Sequence, residues 1–409
     1  MRTDSATAPA SEANGLPFPV AEYEGRLRRV CAALDERGLD ALIAFGIQLS
    51  LPGHVTWLAG SEPRLGLTVS SMAVVLPKDP KPLRVLILGW MDPNPIWVEE
   101  VYHGFDYLTL LRETLPQGLK RIGIAGLEMF PTNVYLGLVE AHPNTRFEPA
   151  SDLLLTLRQT KSPAEVEVMR AASRIAQRAV ERMYSLVRAG ITERELMAEY
   201  ERTVRAAGSD ELPYATQIGS GPQTAQVTAH ATDRVLADGD LVRSDSGALY
   251  RGYCSDISRG TTVGPPRGRA KDVLDAGAEV YEEGLALIKP GFRFADLESA
   301  ARKTAGKYGL ADQLGTMIVH GIGCNQDEYP HWSIGKNRPS RWVRGPGQAE
   351  AADAFAEGMV CCYEPGIYVP GLGGIRMEEP FVVTATGIER LAPGLRIRIW
   401  EEQLASGQR

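Results

Sequence analysis

Residues 241–263 read Leu-Val-Arg-Ser-Asp-Ser-Gly-Ala-Leu-Tyr-Arg-Gly-Tyr-Cys-Ser-Asp-Ile-Ser-Arg-Gly-Thr-Thr-Val. This stretch predicts two antiparallel strands joined by a tight turn at residues 250–253, with Asp245 on the first strand and Asp256 on the second. Cross-strand pairing would bring the two carboxylates close together. The apolar residues around them indicate burial on at least one side, where one carboxylate must be protonated or a cation must lie between them. Hydration on an exposed face is the alternative.

The composition is that of a globular protein of two domains. The chain has 409 residues, of which 44% are hydrophobic and 23% charged, and this length exceeds one ordinary core. A net charge of -7 gives no basic surface, so neither nucleic acid nor an anionic membrane is expected as a partner. No apolar run approaches the ~20 residues of a membrane span. The five cysteines are odd in number and lack zinc-finger spacing, which favours a reducing cytoplasm.

The N-terminal part predicts a tail followed by an α/β domain. The first 16 residues are rich in Ser, Ala and Thr, so we expect a disordered tail over 1–17. Residues 18–150 then alternate helical and strand-like segments, which is typical of an α/β domain. The helical segments are residues 20–38, ending at a glycine, and 132–141, and the strand-like runs are 41–45, 55–59, 72–76, 85–88 and 122–125.

The C-terminal part, 151–409, predicts an internal duplication. Ser162-Pro-Ala-Glu165 and Thr192-Glu-Arg-Glu195 are capping boxes that open two helices, the first ending near Gly190. Strand-like residues 215–228 and the stretch quoted above follow. Two further helices, over 270–288 and 296–308, precede strand-like segments at 316–322, 359–368 and 375–384. Two helices followed by strands, twice over, indicate a repeated supersecondary unit and an α+β fold class.

The second repeat places polar residues at strand positions. His320 ends an apolar strand, and Glu364 lies in an apolar run, where a charge is costly unless it is paired or bound to a metal. Glu378 lies on the return strand of a predicted hairpin. With the two aspartates of the opening stretch, these residues make four carboxylates and one imidazole. Such an oxygen-rich set suits a pair of divalent ions such as Mn, Fe, Co or Zn. A buried network of ion pairs with Arg243 and Arg376 is the alternative.

These motifs resemble the ligand motifs of the pita-bread metallopeptidases, the group of methionine aminopeptidase, Xaa-Pro aminopeptidase, Xaa-Pro dipeptidase and creatinase. The matching segments are Asp-Ser-Gly at 245–247, Gly-Tyr-Cys-Ser-Asp-Ile-Ser-Arg at 252–259, His-Gly-Ile-Gly at 320–323, Glu-Pro-Gly-Ile-Tyr at 364–368 and Gly-Gly-Ile-Arg-Met-Glu at 373–378. They occur in family order. The resemblance implies a pita-bread catalytic domain over 151–409, preceded by a creatinase-like N-terminal domain over 18–150.

The resemblance also implies a ligand set and a mechanism. Asp256 and Glu378 would bridge two divalent ions, with Mn expected and Zn, Fe or Co as alternatives. Asp245 would bind one ion, and His320 with Glu364 the other. The two ions would share a nucleophilic water, and Glu364 would carry its proton to the leaving nitrogen as a catalytic residue.

The chain departs from the family pattern at the expected second histidine. Asp327 stands there, seven residues after His320, and an anionic carboxylate cannot donate a hydrogen bond to a tetrahedral intermediate. His331 is a possible substitute, although an exposed loop histidine is the favoured interpretation. Asp327, His331 and Arg376 are expected to contact substrate. His230 is expected to act in catalysis, although it falls two residues short of the usual spacing of the family's upstream histidine.

A basic insertion over 333–350 contains Lys336, Arg338, Arg341 and Arg344. It is either a solvated surface loop or a lid whose cations bind a substrate carboxylate.

Three functions stay open from the sequence. The leading one is a dinuclear Xaa-Pro dipeptidase or aminopeptidase that cleaves a peptide or amide C–N bond. The second is a pita-bread enzyme acting on a small metabolite, resembling creatinase, ectoine hydrolase or the dimethylsulfoniopropionate lyases. The third is a metal-free binding module, which the intact ligand set disfavours. The expected substrate is a small peptide or a small amide or zwitterion, and the resemblance suggests a homodimer.

Overall fold

The computed structural model of the chain describes residues 15–47, 53–60, 68–89, 96–315, 317–333, 336–337 and 352–401. They form two compact units, the first ending at Leu157 and the second beginning at Arg158. Most of the predicted tail over 1–17 and of the basic insertion over 333–350 lies outside the described residues. Among the described helices, none combines the length and the apolar character that a membrane crossing requires.

The first unit contains a mixed sheet covered by helices. Its elements are α1 Val20–Arg37, β1 Ala41–Ile47, α2 His54–Ala59, β2 Thr68–Val75, β3 Leu83–Gly89, β4 Val101–Gly104, α3 Tyr107–Thr114, β5 Arg121–Ala125, α4 Thr132–Ala141 and β6 Arg146–Pro149. The described strands pair in the order β4-β3-β2-β1-β5-β6. The predicted α/β character is therefore confirmed, and α1 ends at Gly38, whose φ of 64° a glycine adopts without steric strain.

The prediction of a strand over 55–59 is wrong, because this apolar run lies in helix α2. A run of five apolar residues has no periodicity that distinguishes a buried strand from a short buried helix. A further helix, α5 Ser151–Gln159, contains the division between the two units.

The second unit repeats its pattern of two helices followed by strands, as predicted. Its helices are α6 Pro163–Tyr184, α7 Glu193–Ala206, α8 Gly268–Leu287 and α9 Phe294–Gly306. The strands that follow α7 are β7 Gln217–Ser220, β8 Leu241–Ser246, β9 Leu249–Tyr250, β10 Tyr253–Cys254 and β11 Ile257–Thr262. Those that follow α9 are β12 Met317–Gly321, β13 Glu328–Ser333, β14 Lys336–Asn337, β15 Val360–Tyr363, β16 Gly366–Val369, β17 Gly373–Arg376, β18 Pro380–Val383 and β19 Ile388–Arg390.

Both predicted capping boxes form. The Ser162 hydroxyl accepts a hydrogen bond from the Glu165 backbone N–H, and the Glu165 carboxylate accepts one from the Ser162 N–H. Thr192 and Glu195 make the same reciprocal pair at the start of α7. Each cap satisfies backbone donors that the first helical turn leaves without partners. Helix α6 ends at Tyr184, one to two turns before the predicted end near Gly190.

Among the described residues, the strands of the two repeats form separate sheets, and a backbone bridge links the first sheet to the second repeat. In the described residues, β11-β8-β7 make one sheet and β14-β13-β12-β15-β18-β19 another. The bridge joins Ser258 of β11 to Glu378, which follows β17. Because Ser258 is also the register partner of Asp245 in β8, one row of residues runs from the first sheet to Glu378. This row carries two of the predicted ligands.

Candidate metal centre

The five predicted ligands are buried and belong to the second unit. Their exposed fractions are 4% or less. They are Asp245 on β8, Asp256 directly before β11, His320 on β12, Glu364 between β15 and β16, and Glu378 between β17 and β18. The opening stretch pairs as predicted, except that Asp256 precedes its strand. Strand pairing therefore brings together residues that lie far apart in the sequence.

The ligand atoms form two groups that share one carboxylate. Oxygen atoms of Asp245, Asp256 and Glu378 all lie within 4.8 Å of one another. Ligand atoms of His320, Cys362 and Glu378 form a second such group. Glu378 belongs to both, which is the arrangement expected of a carboxylate that bridges two ions.

The imidazole of His320 presents one nitrogen to this cluster. Its Nδ1 lies 3.0 Å from the carbonyl oxygen of Gly321, which can only accept, so Nδ1 carries a proton. Its Nε2 faces Glu378 Oε1 at 3.0 Å and Glu364 Oε1 at 3.6 Å. Burial alone would lower the pKa of His320, but the hydrogen bond and charge of Glu378 raise this pKa to about 9. Either a proton or a metal cation must lie between Nε2 and these carboxylates.

The carboxylates outnumber the buried cation beside them. Arg376 forms an ion pair with Asp245 and lies 3.3 Å from Glu364 Oε2, so part of the alternative ion-pair network is present. One guanidinium cannot neutralise four carboxylates. Burial and the charge of Glu378 raise the pKa of Asp256 well above its ordinary value, because like charges in a buried site disfavour ionisation. The donor set therefore fits divalent cations, which would relieve this repulsion.

Two further residues contact the carboxylates and were not predicted from the sequence. The Tyr214 hydroxyl lies 3.0 Å from Asp245 Oδ1 and 2.5 Å from Asp256 Oδ1. Gln326 donates a hydrogen bond from Nε2 to Asp256 Oδ2 at 3.0 Å. Such contacts orient metal-binding carboxylates. The sequence gave no signal for Tyr214, and the only signal for Gln326 is its position directly before Asp327.

Asp327 and His331 form a buried pair beside His320. Their exposed fractions are 3% and 7%, and Asp327 Oδ1 lies 3.0 Å from His331 Nδ1. His331 lies on β13, opposite His320 in the β12–β13 register, so the two side chains share a face of the sheet. The favoured interpretation of His331 as an exposed loop residue is therefore wrong. Pro330 lacks an N–H and is unfavourable within a sheet, yet β13 forms across it.

His230 lies at the outer end of the row that contains Asp245. It is exposed and bridges Gln217, which in turn pairs with Asp245. Two strand spacings, or about 10 Å, therefore separate the backbones of His230 and Asp245. Among the described residues, His230 makes no hydrogen bond to the five predicted ligands. The structure brings Arg376, Asp327 and His331 to the cluster and leaves His230 at its edge.

The fold and this cluster together define a metal-dependent hydrolase. Residues 167–385 match the model of Metallopeptidase family M24, and the chain belongs to that family. It is 30% identical over 254 residues to an uncharacterized peptidase of Staphylococcus saprophyticus, covering 62% of this chain and 68% of that protein.

Relatives of similar length support the same fold. The chain is 28% identical over 377 residues to the Xaa-Pro dipeptidase of Pyrococcus furiosus, covering 90% of this chain and 97% of that protein. The crystal structure of the X-Pro aminopeptidase of Thermotoga maritima superposes with a TM-score of 0.76 at 26% identity, covering 91% of this chain and 99% of that one. These findings confirm the predicted pita-bread fold and metallopeptidase class. They favour the peptidase interpretation over the small-metabolite interpretation.

Proposed function

We propose that the chain is a dinuclear metal-dependent peptidase of the Xaa-Pro dipeptidase or aminopeptidase type. The observation that carries this proposal is the pair of buried ligand groups that share Glu378. The names of the relatives reported above support a substrate in which a peptide bond precedes proline. The substrate would be a small peptide, because the reacting groups lie in a buried cluster.

The proposed ligand assignment follows the family resemblance, and the two groups that share Glu378 support it. Asp245 would bind one ion, His320 and Glu364 the other, and Asp256 and Glu378 would contact both. When bound, two divalent ions lower the pKa of a water molecule and polarise the scissile carbonyl. Manganese is the proposed metal for the group of Asp245, Asp256 and Glu378, because hard oxygen ligands suit it.

Glu364 is the proposed proton carrier. Its carboxylate lies within 3.6 Å of His320 Nε2 and within 3.3 Å of Arg376 Nη1, so it is held beside the reacting atoms. There it would accept the proton of the attacking water and pass it to the leaving nitrogen. The contacts to Arg376 orient the carboxylate, and a direct contact between Arg376 and substrate stays a prediction.

Asp327 and His331 are proposed to contact the substrate as a unit. A carboxylate that accepts from Nδ1–H fixes the tautomer and orientation of an imidazole. His331 Nε2 would then contact the substrate as a hydrogen-bond acceptor, or as a donor when the ring carries a second proton. His230, at the exposed end of its row, is proposed to act on the part of the substrate farthest from the ions.

The remaining proposals concern organisation and location. We propose an N-terminal domain over 18–150 and a catalytic domain over 151–409, supported by the two compact units. All five cysteines are free thiols, which supports a reducing compartment such as the cytoplasm. A homodimer is expected from the family resemblance.

The test compares substrates and ligand variants of the full-length protein. Metal-stripped enzyme is loaded with Mn²⁺ and assayed on Xaa-Pro dipeptides, longer Xaa-Pro peptides, dipeptides without proline, and a panel of small amides and betaines. Cleavage confined to the Xaa-Pro peptides is expected. Asp256→Ala and Glu378→Ala should lose bound metal and turnover together, whereas Asp233→Ala, at an exposed position, should retain both. Full turnover by metal-stripped protein, or turnover only on the amides or betaines, would contradict the proposal.

A further inference from the structure

A buried sulfur lies inside the proposed metal centre. Cys362 of β15 is the register partner of His320 in the neighbouring strand β12. Directly opposed residues of antiparallel strands point to the same face of the sheet. The Cys362 Sγ, a ring nitrogen of His320 and a carboxylate oxygen of Glu378 all lie within 4.8 Å of one another. Cys362 is 0% exposed.

The adjacent cysteine shows that strand alternation determines which thiol faces the site. Cys361 is equally buried, but its register partners are Gly321 and Phe381. Successive side chains of a strand point to opposite faces. Cys361 accordingly belongs to the hydrophobic core that also contains Phe381, whereas Cys362 does not. The chain thus offers two neighbouring buried thiols, of which one faces the ligand cluster.

The two ligand groups differ in chemical character. The group of Asp245, Asp256 and Glu378 contains only carboxylate oxygens, which suit hard ions such as Mn²⁺. The group of His320, Cys362 and Glu378 offers nitrogen, sulfur and oxygen. Imidazole and thiolate ligands suit zinc, which they commonly bind in a tetrahedral arrangement.

We propose that Cys362 supplies a sulfur ligand to the ion held by His320 and Glu378, making this half of the centre selective for zinc-like ions. The inference rests on the proposed dinuclear centre. In the binding step the S–H bond breaks, a sulfur–metal bond forms, and the proton leaves to solvent, so no oxidant or reductant is needed. The other half, built from oxygen alone, keeps its preference for hard ions.

X-ray absorption spectroscopy tests the ligand directly. Full-length protein loaded with Zn²⁺ should show a sulfur shell at about 2.3 Å, the usual Zn–S distance. Cys361→Ser is the matched control and should keep this shell, whereas Cys362→Ser should lose it. A wild-type spectrum with nitrogen and oxygen neighbours alone overturns the proposal, and this measurement does not depend on the folding of any variant.

Metal competition tests the consequence for selectivity. Loss of a residue that only orients a metal ligand commonly lowers metal affinity by about 10- to 100-fold, and we take this range as the smallest effect of losing a ligand. The Zn²⁺ affinity relative to Mn²⁺ should therefore fall by at least this factor in Cys362→Ser and stay unchanged in Cys361→Ser. An unchanged ratio in both variants overturns the proposal. Xaa-Pro hydrolysis with a sulfur-free spectrum would refute the role of Cys362 alone, whereas failure of the wild type to bind any divalent ion would refute the dinuclear centre as well.

Discussion

Replacing Glu328 by Gln removes a buried carboxylate that two cations contact. Glu328 forms an ion pair with Arg158, and its Oε2 lies 3.2 Å from Lys161 Nζ. The three side chains are 1–2% exposed. Glu328 Oε1 also accepts a hydrogen bond from the Asn325 backbone N–H at 2.9 Å. The carboxylate thus ties the start of the second unit to the loop between His320 and Asp327.

The substitution should lower the free energy of unfolding by about 3–5 kcal/mol, which is the usual effect of breaking a buried ion pair by removing one partner. Gln preserves the shape of the side chain and can still accept a hydrogen bond from the Asn325 N–H. The loss of stability therefore measures the contribution of the negative charge. Two buried cations facing a neutral amide retain their desolvation penalty without the attraction that compensated for it. The expected loss is a large fraction of the total free energy of unfolding, which is about 5–15 kcal/mol for a typical protein.

Urea unfolding at neutral pH measures the effect, and an exposed pair provides the control. Arg194 and Asp233 approach to 2.6 Å but are 57% and 87% exposed. Asp233→Asn should therefore change the free energy of unfolding by at most about 1 kcal/mol. If Glu328→Gln falls within 1 kcal/mol of Asp233→Asn, the attribution of stability to buried charge is refuted.

The difference in unfolding free energy between the wild type and Glu328→Gln should depend on pH in a direction that the pKa of Glu328 determines. Burial alone would raise the pKa of Glu328, but the charges of Arg158 and Lys161 lower it below its ordinary value. A carboxylate whose folded pKa is depressed contributes stability above the unfolded pKa of about 4.3, and that contribution is lost as the pH falls through the folded pKa. The stability difference between wild type and Glu328→Gln should therefore narrow below about pH 4. A difference that stays constant down to the acid transition would contradict this.

Two further substitutions test the surroundings of the ligands. Tyr214→Phe removes the hydroxyl between Asp245 and Asp256 and should weaken Mn²⁺ binding by about 10- to 100-fold in calorimetric titrations. The control Tyr200→Phe loses a buried hydrogen bond to a backbone carbonyl and should leave Mn²⁺ binding unchanged. Equal Mn²⁺ affinities of the two variants would refute the orienting role of Tyr214. Asp327→Asn and His331→Gln should each lower kcat on the best Xaa-Pro peptide, with a coupling of about 0.5–3 kcal/mol in a double-mutant cycle. Additive effects would show that the two residues do not act as a pair.

Local signals in the sequence predicted most of the fold. The capping boxes at Ser162 and Thr192 determine where α6 and α7 begin through contacts between residues three positions apart. These helix starts could therefore be predicted without knowledge of the tertiary structure. The short run at 55–59 carries no such signal, and its helical state was missed. The strand containing His331 was missed because Pro330 is unfavourable within a sheet, and only pairing with the flanking strands reveals it.

The site was predictable to the extent that its residues carried motifs. The convergence of the five predicted ligands follows from their motifs, since a charge in an apolar strand needs a partner. Tyr214 shows the limit of this reasoning, and Arg376, whose ion pairs were considered only as an alternative to metal binding, shows it in part. The Tyr214 hydroxyl contacts two aspartates 31 and 42 residues away, and Arg376 forms an ion pair with Asp245 in the other repeat. Such contacts depend on how the two repeats pack, which no local pattern specifies.

The position of Glu378 explains why the metal centre needs both repeats. Its backbone N–H donates to the Ser258 carbonyl at 2.9 Å, and its carbonyl accepts from the Ser258 N–H at 3.1 Å. Arg259 of the same strand also donates to the Glu378 carbonyl, at 2.6 Å. The residue common to both ligand groups is thus held at the bridge between the two sheets. Neighbouring strands lie about 4.8 Å apart, so side chains on adjacent strands can bring their ligand atoms within 4.8 Å of one another, as the members of both groups do. Because backbone pairing brings these atoms together, the five predicted ligands would set where ions bind. The side chains beside His320 in its row, His331 and Cys362, are proposed to determine which substrate and which ion the site accepts.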